Sequence, residues 1–384
     1  MKNLQDKKIA IIGGGPGGLT LARLLQKVGA DVNVYERDEH ENARPKGATL
    51  DLHDESGLRA LREAGLMDAF NANYRPGADL MHLMDLHANS ILEENADRGG
   101  ANARPEIDRG PLQKILLDSL QPGTVVWDSQ FTGMTQKNGV WKLDFKNDTE
   151  VFADIVIAAD GANSKIRPYL TDIKPFFSGI TAIEGAVYNS AANSPKIHKL
   201  LNGGKIFAFG NSQSLIVGAK GDGSLVFYPS FKTDENWVKT CGLDFSDKAQ
   251  LLAWFKQAYQ GWDDIWLELF ENATGSFIPR PLYCMPLDQT WAAQPNLTML
   301  GDAAHLMPPF AGEGVNMAML DALELSECLL SDYFMSIHAA IAFYEDQMRV
   351  RASAAARDTL FSTEMLHSPK AIDFMMNMGG EFVE

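Results

Sequence analysis

The sequence predicts an α/β protein: one domain built on a parallel sheet, an antiparallel β-sheet domain inserted into it, and a long C-terminal helix. Three stretches carry that expectation. Lys8 to Ile12 is a short β-branched run, followed by Gly13, Gly15 and Gly18 in a G-x-G-x-x-G pattern, a helix with Leu19, Ala22, Leu25 and Val28 on one stripe, and a second strand from Asp31 that ends in Glu36. From Ile173 to about Arg280, strand-like runs follow one another quickly with Gly and Asn between them, the spacing of an antiparallel sheet. The chain then returns to an apolar strand at Leu297 to Leu300, a glycine-rich loop, and a helix from Val315 to Leu330.

The glycines sit between a strand and a helix, and an acid closes the next strand, which is the context of a Rossmann dinucleotide fingerprint. Gly13 permits the tight turn, Gly15 lets the backbone approach a pyrophosphate, and Gly18 lets helix and strand pack closely. The helix N-terminus supplies free N–H groups and a positive dipole end that suit phosphates. Glu36 is placed to accept from a ribose. The motif alone leaves NAD and FAD open.

The totals exclude several classes. With 384 residues the chain suggests two domains. Its 34 basic and 50 acidic residues give a net charge of −16, which invites neither nucleic acid nor an anionic membrane. Cys241, Cys284 and Cys328 are scattered, with no metal spacing and no disulfide framework, and fit a reduced cytoplasm. No signal peptide and no membrane span are expected from the sequence.

In chain order, Arg44 and Asp51 are candidate cofactor contacts, the second in a TLDLH run. Ser56 to Phe70 reads as helix with Gly65 as its flaw, and Met81 to Asn89 with Ile91 and Leu92 as short strands. Arg109, in EIDR, precedes a helix from Pro111 to Leu120 and suits an anion or carbonyl clamp. Val125 to Trp127, Trp141 to Phe145 and Val151 to Ile157 read as a β-meander, the last running into AADGANSKIR with Asp160 at its end. Lys248 to Tyr259 is helical. Asp302 ends the Leu297 to Leu300 strand, where it can reach a ribityl hydroxyl, and Gly312 and Gly314 make a flexible loop before the helix that begins at Val315. His305 is expected to be structural. A second long helix runs from about Ile337 to Leu366.

Three signatures stand together: GGGPGGL with YER, AADGANSKIR, and GDAAHLMPPFAGEGVN. The combination resembles FAD-dependent aromatic hydroxylases of the p-hydroxybenzoate hydroxylase type, and within them the Tet(X)-type tetracycline-inactivating monooxygenases. The resemblance runs from the first strand to the helix bearing Met365. It implies a discontinuous Rossmann-like FAD-binding domain (1–70, 101–172 and 281–331), a substrate-binding domain (71–100 and 173–280) and a bridging C-terminal helix (332–384). It implies tightly but non-covalently bound FAD, NADPH as a transient donor, O₂ as co-substrate, and hydroxylation of a polycyclic or aromatic molecule through a flavin C4a-hydroperoxide. A monomer with no nucleic-acid or membrane partner is expected.

Carried over by residue, the resemblance assigns Gly13, Gly15, Pro16 and Gly18 to the pyrophosphate and Glu36 to the adenosine ribose. Arg37, Asp51, Arg109, Asp160, Asp302, Gly314 and Val315 become further FAD contacts, and Arg44 an NADPH contact. Pro309, Phe310 and Gly312 line the space above the flavin ring. Glu184, Lys205, Val226, Tyr228 and Met365 face the substrate. The family carries Gln, Arg and His where Glu184, Lys205 and Val226 stand, a glycine at Tyr228 and a Gln at Glu313. No protein nucleophile or metal motif is present, consistent with chemistry carried by a flavin. Alternative readings are a hydroxylase of another aromatic or polyketide-like substrate, a flavin oxidase or NAD(P) dehydrogenase, and a non-catalytic FAD- or ligand-binding protein.

Overall fold

The computed structural model describes residues 4–43, 47, 49–93 and 104–381. A five-stranded, all-parallel sheet forms one layer, in the order Leu297–Met299, Ile155–Ala158, Lys8–Ile12, Asp31–Tyr35, Val125–Val126. Apart from the exposed Lys8, its two central strands are apolar, as a parallel sheet covered on both faces requires. Pro16–Gln26 packs on it through buried Leu19, Leu21, Ala22 and Leu25. Val28, expected on the same stripe, lies beyond the end of that helix and is exposed. Glu313–Leu330 and Ile337–Leu366 complete the layer, and this core also takes in Ala340, Ile341, Tyr344 and Met348 of the long helix.

A seven-stranded sheet forms the second body: Ile278–Cys284, Phe176–Val187, Leu225–Lys232, Gln213–Ala219, Lys205–Gly210, Met81–Asp85, Ser90–Glu93. All neighbours are antiparallel except Lys205–Gly210 with Met81–Asp85, which pair parallel because the chain returns to that edge after a long detour. One face buries Ile183, Val187, Ile206, Leu215, Val217, Leu225 and Phe227 under helices that include Lys248–Ala258 and Leu267–Glu271. A two-stranded ribbon, Thr49–Asp51 with Glu106–Asp108, lies between the two bodies.

The expected meander of three strands is corrected. Val125–Val126 extends the parallel sheet beside Asp31–Tyr35. The run from Val151 to Ile157 breaks at Asp154, whose carboxylate accepts from Lys8 N at 2.9 Å, so Glu150–Ala153 stays in a meander while Ile155–Ala158 enters the parallel sheet. The meander's third strand is Phe131–Lys137, joined to Val140–Phe145 by Asn138-Gly139, both with positive φ. The segment from Ser56 to Phe70 is two helices, Gly57–Ala64 and Met67–Asn71, broken at Gly65 with φ 73°. A further helix, Ala371–Glu381, follows the long one. Among the described residues no helix is long and apolar enough to cross a membrane.

Candidate active site

The glycine turn is built by close approach. Gly13, at φ 113°, leaves no room for a side chain beneath the Ala159 carbonyl, and a Cβ on Gly18 would collide with Gly13 O. Gly17, which the fingerprint does not single out, is pressed on the Glu313–Leu330 helix: a Cβ there would lie 2.7 Å from Leu300 Cδ1 and 2.9 Å from Ala318 O. Gly15 is the contrast, since a Cβ on it would meet nothing within 4 Å. Pro16 is the first residue of the helix behind it. The open space therefore lies at a helix N-terminus, where anions bind. Glu36 is buried and accepts from Gly14 N at 2.6 Å and Asp38 N at 3.0 Å, which fixes its carboxylate beside the turn. Arg37 is exposed. Arg44 lies outside the described residues.

Asp302 begins the short helix Asp302–His305 after the last parallel strand. Burial raises its carboxyl pKa, with His305 and Arg109 pulling the other way. No hydrogen bond to its carboxylate is present among the described residues. Arg109 is the exposed first residue of Arg109–Asp118. Asp160 accepts from Lys165 N at 2.7 Å through one oxygen, capping the turn that follows, while its other oxygen is buried without a partner. Arg167, at the end of the same motif, is buried and donates to Ala303 O, Ala304 O and Gln289, tying that turn to the Asp302 helix.

His305 is held inside. Its Nε2 is 2.5 Å from Asp321 Oδ2, the same oxygen accepts from Gly301 N at 2.9 Å, and Asp321 Oδ1 accepts from Arg351 at 2.7 Å. Burial lowers the His305 pKa, but Asp321 more than offsets it and the net shift is upward. Asp321 is shifted down by His305 and Arg351 against its own burial. The group is a brace beneath the turn that presents Asp302.

The loop Pro309 to Gly312 is positioned by Asn316, which is fully buried. Asn316 Oδ1 accepts from His53 N at 2.9 Å and Ser56 Oγ at 3.3 Å; its Nδ2 donates to Asp51 O at 2.9 Å and Gly312 O at 3.1 Å. Every bonding position of the amide is filled. Gly312 has φ 71° and faces the Asp51 carboxylate closely enough to bar a Cβ. Asp51 is pushed up by burial, yet its bond to His53 at 3.0 Å and the Lys205 charge bring it below its ordinary value. Glu313, Gly314 and Val315 form the first turn of Glu313–Leu330 and are half-buried. Burial raises the Glu313 carboxyl, against the pull of His53 and Arg104.

The other face of the seven-stranded sheet looks toward this loop. Its register gives three rows. Lys205, Gly218, Val226 and Ala186 form the first. Phe207, Ile216 and Tyr228 form the second, with Glu184 on the same face of the neighbouring strand. Phe209, Ser214, Ser230 and Ala182 form the third. Glu106 of the two-stranded ribbon covers the first row by an ion pair with Lys205. The third is covered by His367, whose Nε2 accepts from Ser230 Oγ at 2.8 Å while its Nδ1 donates to Thr363 O at 2.7 Å. Burial drives the pKa of His367 down to about 4, so it is neutral. The Phe310 ring stands edge-on to His367 with centroids 5.0 Å apart. Phe207, Ile216, Tyr228 and Glu184 stay half-exposed in the middle of the sheet, whereas their neighbours on the opposite face are buried. That middle row is a half-exposed strip between the ribbon and the Phe310–His367 contact, the candidate floor of a cleft, with Phe207 also packed against the Leu83, Phe209, Leu366 and Ala371 cluster.

Val226 is buried in the first row, and Met365 is half-buried two residues before His367. Lys205 and Glu184, expected to meet substrate, both hold protein partners, Glu184 accepting from Arg280 Nε at 2.6 Å. Glu106, Arg280, Asn316, His53 and His367 were not assigned roles from sequence.

The space at Gly15, the fixed Glu36, the Asp160 oxygen without a partner and the Asp302 carboxylate fit an extended dinucleotide whose far end reaches Gly312. A family model described as FAD binding domain matches residues 6–359. The chain is 27% identical to the monooxygenase asqM of Emericella nidulans, over 93% of this chain and 92% of that protein. Among solved structures it is similar to a putative FAD-containing monooxygenase from Photorhabdus luminescens, with a TM-score of 0.76, 25% identity, and 94% and 98% of the two chains covered. It also shares the fold of the tetracycline destructase Tet(51), with a TM-score of 0.75 at 18% identity over 98% and 95% of the chains.

Proposed function

The chain belongs to the FAD binding domain family and is an FAD-dependent monooxygenase, and from that premise we propose that it hydroxylates an aromatic or polycyclic small molecule with NADPH and O₂, tetracycline being the first compound to test. In balance, substrate, NADPH, a proton and O₂ give the hydroxylated product, NADP⁺ and water. FAD, when bound, would supply the redox chemistry, hydride acceptance and oxygen activation.

The chain's own residues bind, orient and exclude water. Gly13 to Gly18 and the helix N-terminus hold the pyrophosphate, Glu36 a ribose, and Asp302 the ribityl chain, with Arg109 balancing its charge. Arg44 meets NADPH in passing, since a single dinucleotide fingerprint is present. The observation that carries the substrate reading is the half-exposed row Phe207, Ile216 and Tyr228, which opens beside the Pro309–Gly312 loop. A flat apolar floor favours a ring lying on it. Tetracycline is supported by the shared GDAAHLMPPFAG loop, and Tyr228 narrows the cleft relative to the family's glycine, so slow turnover is expected. The test is mass spectrometry of tetracycline and of phenolic ring compounds incubated with enzyme, NADPH and air. A gain of one oxygen atom by any of them supports the reading. NADPH oxidation with no oxygenated product from any ring compound would refute it.

A further inference from the structure

On the hydroxylase reading above, we infer that the substrate is an uncharged planar ring compound, selected because the cleft neutralises its own charges before a ligand arrives. The three rows carry two charges on the four central strands, Lys205 and Glu184. Lys205 is ion-paired to Glu106, whose side chain is only 2% exposed. Glu184 is paired to Arg280 across the edge of the same face, where Arg280 sits opposite Ala182. Between the two pairs the floor is Phe207, Ile216 and Tyr228.

An anionic ligand reaching for Lys205 must part it from Glu106. That would leave a carboxylate buried without its counter-charge, an arrangement proteins tolerate poorly. A cationic ligand reaching for Glu184 must displace Arg280, which is half-exposed and keeps its water, so this pair resists less than the first. A charge laid on the middle row itself finds no opposite partner and loses its water. An uncharged ring meets none of these obstacles and gains the stacking surface. The pairs thus discriminate through the cost of opening them rather than through a dedicated contact. A zwitterion such as tetracycline must open at least one of these pairs, a second physical reason for the slow turnover expected of it.

The experiment uses the holoenzyme and three ring compounds of similar size: 2-naphthol, neutral at pH 7; 3-hydroxy-2-naphthoate, an anion; and 1-naphthylmethylamine, a cation. Binding is read by perturbation of the flavin absorbance without NADPH, and turnover by mass spectrometry with NADPH. The neutral compound is expected to bind at least tenfold more tightly than either charged one. Glu106→Gln, which frees Lys205, shifts the ranking at least tenfold toward the anion. Arg280→Leu, at a half-exposed position that folding tolerates, frees Glu184 and shifts it toward the cation. Wild-type enzyme binding a charged compound as tightly as naphthol overturns the inference, as does an unchanged ranking in Arg280→Leu or the absence of any flavin perturbation. Binding in the expected order with no oxygen gained supports the charge selection and sinks the hydroxylase reading instead.

Discussion

The substitutions Gly15→Val and Gly17→Val place the same side chain two residues apart and separate folding from capture of FAD. At Gly15 the backbone is extended, φ −77° and ψ 176°, open to any residue, and a Cβ meets nothing within 4 Å. Valine is a poor N-cap, which costs about 1 kcal/mol. The FAD-free protein should therefore unfold at nearly its normal denaturant concentration. FAD binding should collapse, because valine fills the space of the pyrophosphate and screens the helix N–H groups. Two lost hydrogen bonds to a charged group are together worth roughly 3–6 kcal/mol, a hundredfold or more in affinity. At Gly17 the Cβ alone falls 2.7 Å from Leu300 Cδ1 and 2.9 Å from Ala318 O. Carbon atoms sit best about 3.5–4.0 Å apart, so the two helices must part by roughly 1 Å. Leu300 is buried and Ala318 half-buried, and overpacking of this kind costs about 1–3 kcal/mol. The assays are denaturant unfolding of FAD-stripped protein and fluorescence titration with FAD. Wild-type FAD affinity in Gly15→Val would refute the placement of the pyrophosphate. Unchanged FAD-free stability in Gly17→Val would refute the packing.

Arg44→Ala should raise the KM for NADPH and leave FAD content unchanged; flavin loss in the purified variant would reassign Arg44 to the bound cofactor. Asp321→Asn removes the anion shared by His305, Arg351 and Gly301 N, and breaking a buried pair costs about 3–5 kcal/mol; denaturant midpoints and FAD release check it, and an unchanged midpoint with full flavin retention would count against the brace. His367 titrates near 4 in the folded protein against an ordinary 6.5, so the unfolded chain takes up its proton first as pH falls. Stability is therefore lost between pH 6.5 and 4, by about 3 kcal/mol from this group. Unfolding measured from pH 7 to 4 should show a shallower loss in His367→Gln than in wild type, and parallel curves would show that His367 charges freely in the fold.

Local pattern carried much of this architecture. The glycine turn, the Leu297 strand and the helix Ile337–Leu366 follow from periodicity and from residues that permit or forbid a conformation. The strand Phe131–Lys137 was missed because its outward side chains, Thr132, Thr135, Gln136 and Lys137, hide the alternation. The Val151 to Ile157 run was read as one strand because the break at Asp154 depends on Lys8, 146 residues away. The site divides similarly. The cofactor half rests on residues clustered in short motifs. In the cleft the deciding partners are distant: Glu106 for Lys205 at 99 residues, Arg280 for Glu184 at 96, His367 for Ser230 at 137. Each side chain alone is an ordinary strand residue, and only the pairing states which charges remain for a ligand.

Asn316 sets an order in time as well as in space. It closes on His53, 263 residues earlier in the chain, and the outermost parallel strand is Leu297–Met299. During synthesis, every strand of the seven-stranded sheet has emerged once Cys284 is made, while the domain that opens the chain still lacks an edge strand and the amide that fixes Asp51 and Gly312. The inserted body is thus able to finish before its host. FAD capture is then expected late on the ribosome or after release, and a chain ending before residue 316 is expected to be colourless. In a preparation of this protein, yellow marks the molecules whose translation ran past the last clamp.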